Sequence, residues 1–136
     1  MTKINVKMKM GELLKSGNAL AVVIAEKKSF APEVNIALAQ NNAAIEKSLK
    51  GYSESRKQIA ERFAVKDKNG ELLVKNNEYV FEKDEDKNGF LEEAKSLDEV
   101  EVDVELQKVE VATMNDGKHE EPTAYDLVAM DFMLKY

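Results

Sequence analysis

The stretch from Pro32 to Phe63 constrains this chain more than any other. Val34, Leu38, Ala44, Ile45, Leu49, Tyr52, Ile59 and Phe63 recur there mostly at three- and four-residue steps, the spacing of one stripe on an α-helix. Proline is tolerated in a first helical turn, and Glu33 behind it complements the positive end of the helix dipole. The opposite face carries Glu46, Lys47, Lys50, Glu54, Lys57 and Glu61. Two of its pairs, Glu46 with Lys50 and Glu54 with Lys57, stand at contact spacing, worth about 0.2–0.5 kcal/mol each. A stripe this long has to be covered by the shorter elements, so the helix is the scaffold of the fold. Asn41 and Arg56 fall near its centre line. Either such polar residues fix register at some cost in stability, or the stripe rotates towards solvent there. Gly51 sits mid-helix at a cost of about 1 kcal/mol relative to alanine, which predicts a kink or a close helix contact.

Ahead of this helix, Ile4, Val6, Met8 and Met10 alternate with Lys3, Asn5, Lys7 and Lys9, the period of a half-buried strand with one basic face. A second helix is expected from Gly11 to Lys28, burying Leu13, Leu14, Leu20, Val23 and Ile24, with a possible break at Ser16-Gly17-Asn18. It should fold back on the long helix as a hairpin joined at Ser29 to Ala31.

Beyond Phe63 the pattern shortens. Asp67-Lys68-Asn69-Gly70 between Ala64 and Lys75 predicts a β-hairpin, Asn76-Asn77 a further break, and Glu78 to Phe81 a third short strand. Asp84, Asp86 and Asn88 followed by Gly89 match the opening of a calcium loop, but Lys95 stands where the bidentate carboxylate belongs. The favoured expectation is therefore a solvated acidic turn, with Asn88 capping a short helix from Gly89 to Leu97. Next, Val100, Val102, Val104 and Leu106 alternate with Glu101, Asp103 and Glu105, and the phase slips before Val109 as at a bulge around Gln107-Lys108. This acidic strand should pair with the basic N-terminal one, setting Lys7 and Lys9 across from Glu and Asp. A polar loop from Asn115 to Glu121 holds His119, the single histidine, which is expected to be exposed. Pro122 and the capping-box spacing of Thr123 and Asp126 announce a C-terminal helix whose Leu127, Val128, Met130, Phe132, Met133 and Leu134 crowd its circumference.

The fold class that follows is α+β: a helical hairpin with one long helix, packed on a small antiparallel sheet that includes the N-terminal strand and the Val100–Val111 strand, with a C-terminal helix. A length of 136 residues suits a single domain over 1–136. With no cysteine there is no disulfide, zinc-thiolate site or thiol nucleophile. A net charge of −6 disfavours electrostatic nucleic-acid binding. The lone imidazole, six scattered glycines and absence of histidine pairs leave no nucleophilic, phosphate-cradling or metal-hydrolase pattern. No enzyme activity, cofactor or metal is therefore expected. With no signal-like segment and no run long enough to span a bilayer, the reading is a soluble, intracellular, non-membrane protein.

Four stretches, Ile4-Asn5-Val6-Lys7, Glu61 to Leu73 with its turn, Val100 to Glu105 and Tyr125 to Leu134, follow one another in an order that is similar to a family of short uncharacterised proteins encoded by phages and prophages of Gram-positive bacteria. That resemblance implies a viral setting and the host cytoplasm. The functional expectation is a non-enzymatic phage accessory protein that binds and modulates a host protein, such as a defence or metabolic factor, through an acidic face. Glu82, Asp84, Glu85, Asp86, Glu92 and Glu93, with the loop from Asn115 to Glu121, are the expected contact residues. Leu127, Met130, Phe132, Met133 and Leu134 are the expected contacts of a homo-oligomer. The alternatives are a virion or tail assembly component and, more weakly, an oligomer that sequesters a small ligand through Lys and Arg side chains.

Overall fold

The long helix forms as its stripe predicts, from Pro32 to Phe63 in a computed structural model that describes residues 2–136 (α2). The architecture is α+β, and its contacts group into two compact units. The first runs to Leu49 and resumes from Glu101 to Tyr136; the second is Lys50–Val100.

In the first unit, β1 (Thr2–Lys9) leads directly into α1 (Met10–Ala25), and β4 (Glu101–Glu110) is followed by α4 (Val111–Met114), α5 (Ala124–Met130), a short 3-10 turn and β5 (Leu134–Lys135). β1 and β4 pair antiparallel with Lys7 opposite Asp103 and Lys9 opposite Glu101. The basic and acidic faces therefore meet across the ladder, and Lys3, opposite Gln107, closes a diagonal ion pair with Glu105 at 3.0 Å. A third strand, absent from the expectation, completes the sheet: β5 joins β4 in parallel at Val109 and Glu110, giving the order β1-β4-β5. The ladder to β1 is unbroken through Lys108. The phase slip is thus not a bulge in that ladder, and Val109 is buried where β5 joins.

Helix α1 is continuous through Ser16-Gly17-Asn18. The reason is packing: a Cβ on Gly17 would lie 2.9 Å from Ile45 Cγ2 and 3.2 Å from a Leu49 methyl, so this glycine lets α1 approach α2 closely. Leu13, Leu20 and Val23 are buried as expected, whereas Ile24 is exposed. Lys27 ends the helix in a left-handed conformation (φ 52°). The core gathers Leu13, Leu20, Val34, Ile45, Leu106 and Met130.

The second unit holds the rest of α2, β2 (Val74–Lys75), β3 (Glu78–Tyr79) and α3 (Asp84–Asp98). Asn76 and Asn77 both have positive φ (53° and 62°), the geometry a tight two-residue hairpin requires, and they join β2 to β3. The Asp67–Gly70 turn also forms, closed by Gly70 N–H to Asp67 C=O at 3.1 Å. Its flanks carry only a single bridge, Lys66 to Leu72, in place of the expected strands. Ala60, Phe90 and Ala94 are the buried centre, with Ile59, Phe63, Leu72, Tyr79 and Phe81 packed around them.

The expected acidic turn with Asn88 as a helix cap does not form. The helix begins at Asp84, so Asn88 lies inside it and caps nothing, and Asp84, Asp86 and Asn88 are helical rather than the loop whose calcium reading the sequence already disfavoured. Three acids in the first turn, Asp84, Glu85 and Asp86, favour that earlier start by opposing the helix dipole. Gly89, expected to open the short helix, is a close-approach position inside it: a Cβ there would stand 2.6 Å from the Phe63 ring.

Gly51 also departs from expectation, since a Cβ there would meet nothing within 4 Å. The six charged residues of the outer α2 face, Glu46, Lys47, Lys50, Glu54, Lys57 and Glu61, are all exposed.

Candidate interaction surface

Helix α3 places its acids by its phase. Phe90 and Ala94 turn inward, which leaves Asp84, Glu85 and Glu92 exposed and Asp86 and Glu93 half-buried; Glu82, just ahead of the helix, is exposed. Glu93 is engaged by the Arg62 guanidinium. Of the expected contact residues, Glu82 and Asp84 line a groove of about 650 Å³ in the second unit; Glu85, Asp86, Glu92 and Glu93 do not.

The groove's other walls are residues that charge counting passes over. Tyr79, Phe81 and Phe90 form an aromatic cluster in it, Tyr79 edge-on to Phe90 at 5.7 Å between ring centres and Phe81 tilted at 5.4 Å. The Arg56 guanidinium lies 5.3 Å from the centre of the Phe90 ring and donates to the Tyr52 hydroxyl at 3.4 Å. Arg56 therefore sits half-buried over an aromatic ring, which decides its place on the α2 stripe. Tyr52 in turn donates to Asp98 at 2.6 Å, and burial, reinforced by that bond, pushes its hydroxyl pKa up. At the rim, Leu91 is 51% and Val74 53% exposed, apolar side chains beside a partly apolar cleft. Of the charged residues that line the groove, Glu78, Glu82 and Asp84 are balanced by Arg56, Lys83 and Lys87, so its lip carries both signs. The sequence signal for this site was the clustering of Tyr79, Phe81 and Phe90 around the acidic run, which periodicity does not weigh.

The loop from Asn115 to Glu121 is fastened to the first unit's own backbone. Glu120 N–H donates to the Ser29 carbonyl at 2.9 Å, and Ser29 N–H donates to the Glu120 carboxylate at 3.2 Å. His119 is exposed, and its Nδ1 lies 2.6 Å from Asp116. Backbone N–H donation from Lys118, the His119 ring and the His119 N–H lower the Asp116 pKa to about 2. No group of three or more potential metal ligands occurs among the described residues.

Of the expected oligomer contacts, Met130, Met133 and Leu134 are buried in the chain's own core, while Leu127 and Phe132 are half-buried. The physical reason is that the apolar run does not stay helical. It passes from α5 through a 3-10 turn into β5, and each piece buries its residues differently. In this region Tyr125 and Val128 are exposed, at 52% and 77%. The capping box does form: Thr123 Oγ1 accepts from Asp126 N–H and the Asp126 carboxylate accepts from Thr123 N–H. That carboxylate is fully buried, and its Oδ2 also takes the Lys28 ammonium at 2.6 Å. Burial works to raise the Asp126 pKa, but Lys28 and Thr123 outweigh it and hold it below the ordinary carboxylate value; hydrogen bonds to Asp126 and Glu26 raise that of Lys28.

Comparison with protein-family models, with curated proteins and with solved structures finds no match to this chain. Among the described residues no helix is long and apolar enough to cross a membrane.

Proposed function

We propose that this protein is a non-enzymatic accessory factor that binds and modulates another protein, using the groove of its second unit. One observation carries the reading: Glu82 and Asp84, exposed acids at the start of α3, edge a cleft containing Tyr79, Phe81 and Phe90, with Leu91 and Val74 half-exposed at its rim. Protein-binding hot spots combine an apolar or aromatic anchor with a polar rim that steers the partner. A cleft of this composition takes a segment with one large apolar side chain, a Lys or Arg beside it to meet Glu82 and Asp84, and room for an acid at Lys83 or Lys87. Arg56 is spent internally, on the Phe90 ring and on Tyr52, whose own hydroxyl goes to Asp98. In the phage setting that the sequence resemblance suggests, the partner is a host protein with a basic surface.

The test is capture of the tagged protein's partners from host lysate, alongside Glu82→Lys with Asp84→Lys and, separately, Leu91→Asp. A host protein retained by the parent chain and lost from both variants, each shown by circular dichroism to be folded, supports the reading. Retention by both variants, or appearance of the protein in purified particles with no host partner, overturns it in favour of an assembly role.

A further inference from the structure

The sheet of the first unit has an open edge. β5 covers β4 only at Val109 and Glu110. At Gln107 a side chain stands in for a strand: Gln107 N–H donates to Asn41 Oδ1 at 2.7 Å, and Asn41 Nδ2 donates to the Gln107 carbonyl at 3.0 Å. Both backbone groups of Gln107 therefore point away from β1, which makes Gln107 and its partner Lys3 a non-hydrogen-bonded pair. Antiparallel pairs alternate, so Glu105 and Asp103, two and four residues on, also turn their N–H and C=O groups away from β1. Those groups have no hydrogen-bond partner among the described residues. Beside them lies a groove of about 670 Å³ walled by β4, by Lys3 of β1 and by Gln40, Ala44, Lys47 and Ser48 of α2.

We propose that this edge receives an extended basic segment of a partner polypeptide, added as a strand alongside Glu101 to Glu105. Main-chain bonds to Asp103 and Glu105 provide the affinity, and alternate side chains the selectivity. On the solvent side the incoming strand meets Asp103 and Glu101, which stand opposite Lys7 and Lys9 of β1 but close no ion pair with them among the described residues, while Glu105 is already held by Lys3. On the other side it meets Ala44 and Ser48, small enough to admit apolar side chains. The ligand pattern is therefore Lys or Arg alternating with apolar residues, the pattern that β1 itself offers β4 from the opposite edge. A second copy of the chain fits worse. Two β4 edges paired antiparallel about Asp103 would set Asp103 against Asp103 and Glu101 against Glu105, and like charges directly opposite destabilise a ladder.

The experiment uses the full chain and a synthetic peptide with the β1 sequence, Thr2 to Lys9, as probe. Binding is followed by fluorescence anisotropy and by amide hydrogen exchange. We expect saturable binding, at least ten-fold slower exchange at the Asp103 and Glu105 amides, and weakening with added salt. Asp103→Pro removes one outward donor without touching a bond to β1 and should weaken binding at least ten-fold. Asp103→Lys with Glu101→Lys keeps the backbone donors; it should lose this peptide and gain one in which each Lys is replaced by Glu. This arm stands even if the proline variant misfolds. Binding that ignores both variants, or that speeds exchange at Val104 and Leu106 because the peptide displaces β1, overturns the proposal. So does self-association of the parent chain that Asp103→Pro abolishes, since it assigns the edge to a second copy.

Discussion

Replacing Asn41 with leucine tests whether one buried amide locks α2 to the sheet. Asn41 is fully buried and closes two bonds on Gln107, at 2.7 and 3.0 Å. Its Nδ2 also lies 3.5 Å from Met133 Sδ. Leucine fills a similar volume and keeps water out, so the Gln107 N–H and C=O are both left unpaired. Each orphaned group costs about 1–3 kcal/mol. The better burial of leucine offsets roughly 1–2 kcal/mol of that. At mid-range the expected net loss is about 2–3 kcal/mol, a large share of the roughly 5–15 kcal/mol that holds a domain folded. Urea titration followed by far-UV circular dichroism measures it, with hydrogen exchange at the Gln107 amide as the local readout. Asn42→Leu, which removes only an exposed 3.4 Å bond to Glu46, is the control and should stay within about 0.5 kcal/mol of the parent. If Asn41→Leu is as stable as the control and the Gln107 amide exchanges no faster, the bonds to Asn41 do not hold that edge and the reasoning is wrong.

The same substitution should act oppositely at two helical glycines. Gly51→Ala meets nothing within 4 Å and should raise stability by about 0.5–1 kcal/mol through helix propensity, whereas Gly17→Ala pushes against fully buried Ile45 and should lower it by about 1–2 kcal/mol, both read by thermal melting. Phe90→Ala removes the ring on which Tyr79, Phe81 and Arg56 converge, and should cost about 3–5 kcal/mol; slow exchange in α3 that survives the change would refute that packing. Asp126 lies below its ordinary value of 3.8, so its contribution is present above 3.8 and lost as pH falls through the folded value. Lys28 lies above 10.5, so its contribution is present below 10.5 and lost as pH rises through its folded value. Lys28→Gln leaves burial to raise the Asp126 pKa with less opposition, so acid unfolding should begin at higher pH; an unmoved acid limb in a circular-dichroism titration would show that the pair does not set it.

The local chemistry of side chains settled a good deal. Period and charge alone placed α2 from Pro32 to Phe63, paired β1 with β4 with lysines facing acids, and capped α5 through Thr123 and Asp126; the register that sets Lys7 against Asp103 came with the structure. These are properties of residues close in sequence, or of whole faces, and a stretch of chain carries them wherever it goes. Tertiary structure decided what depends on a neighbour distant in sequence. Gly17 and Gly89 look like helix breakers until Ile45 and Phe63 lie against them. Asn41 reads rather as a point where the stripe turns to solvent, yet it is fully buried, because Gln107 offers it a backbone donor and acceptor. The C-terminal apolar run looks like one helix until β4 presents an edge at Val109 that Leu134 can pair with. The acids of α3 were legible as a charged face, but the aromatic cleft at Glu82 and Asp84 was not, because it exists only once β3 and α3 bring Tyr79 and Phe81 onto Phe90.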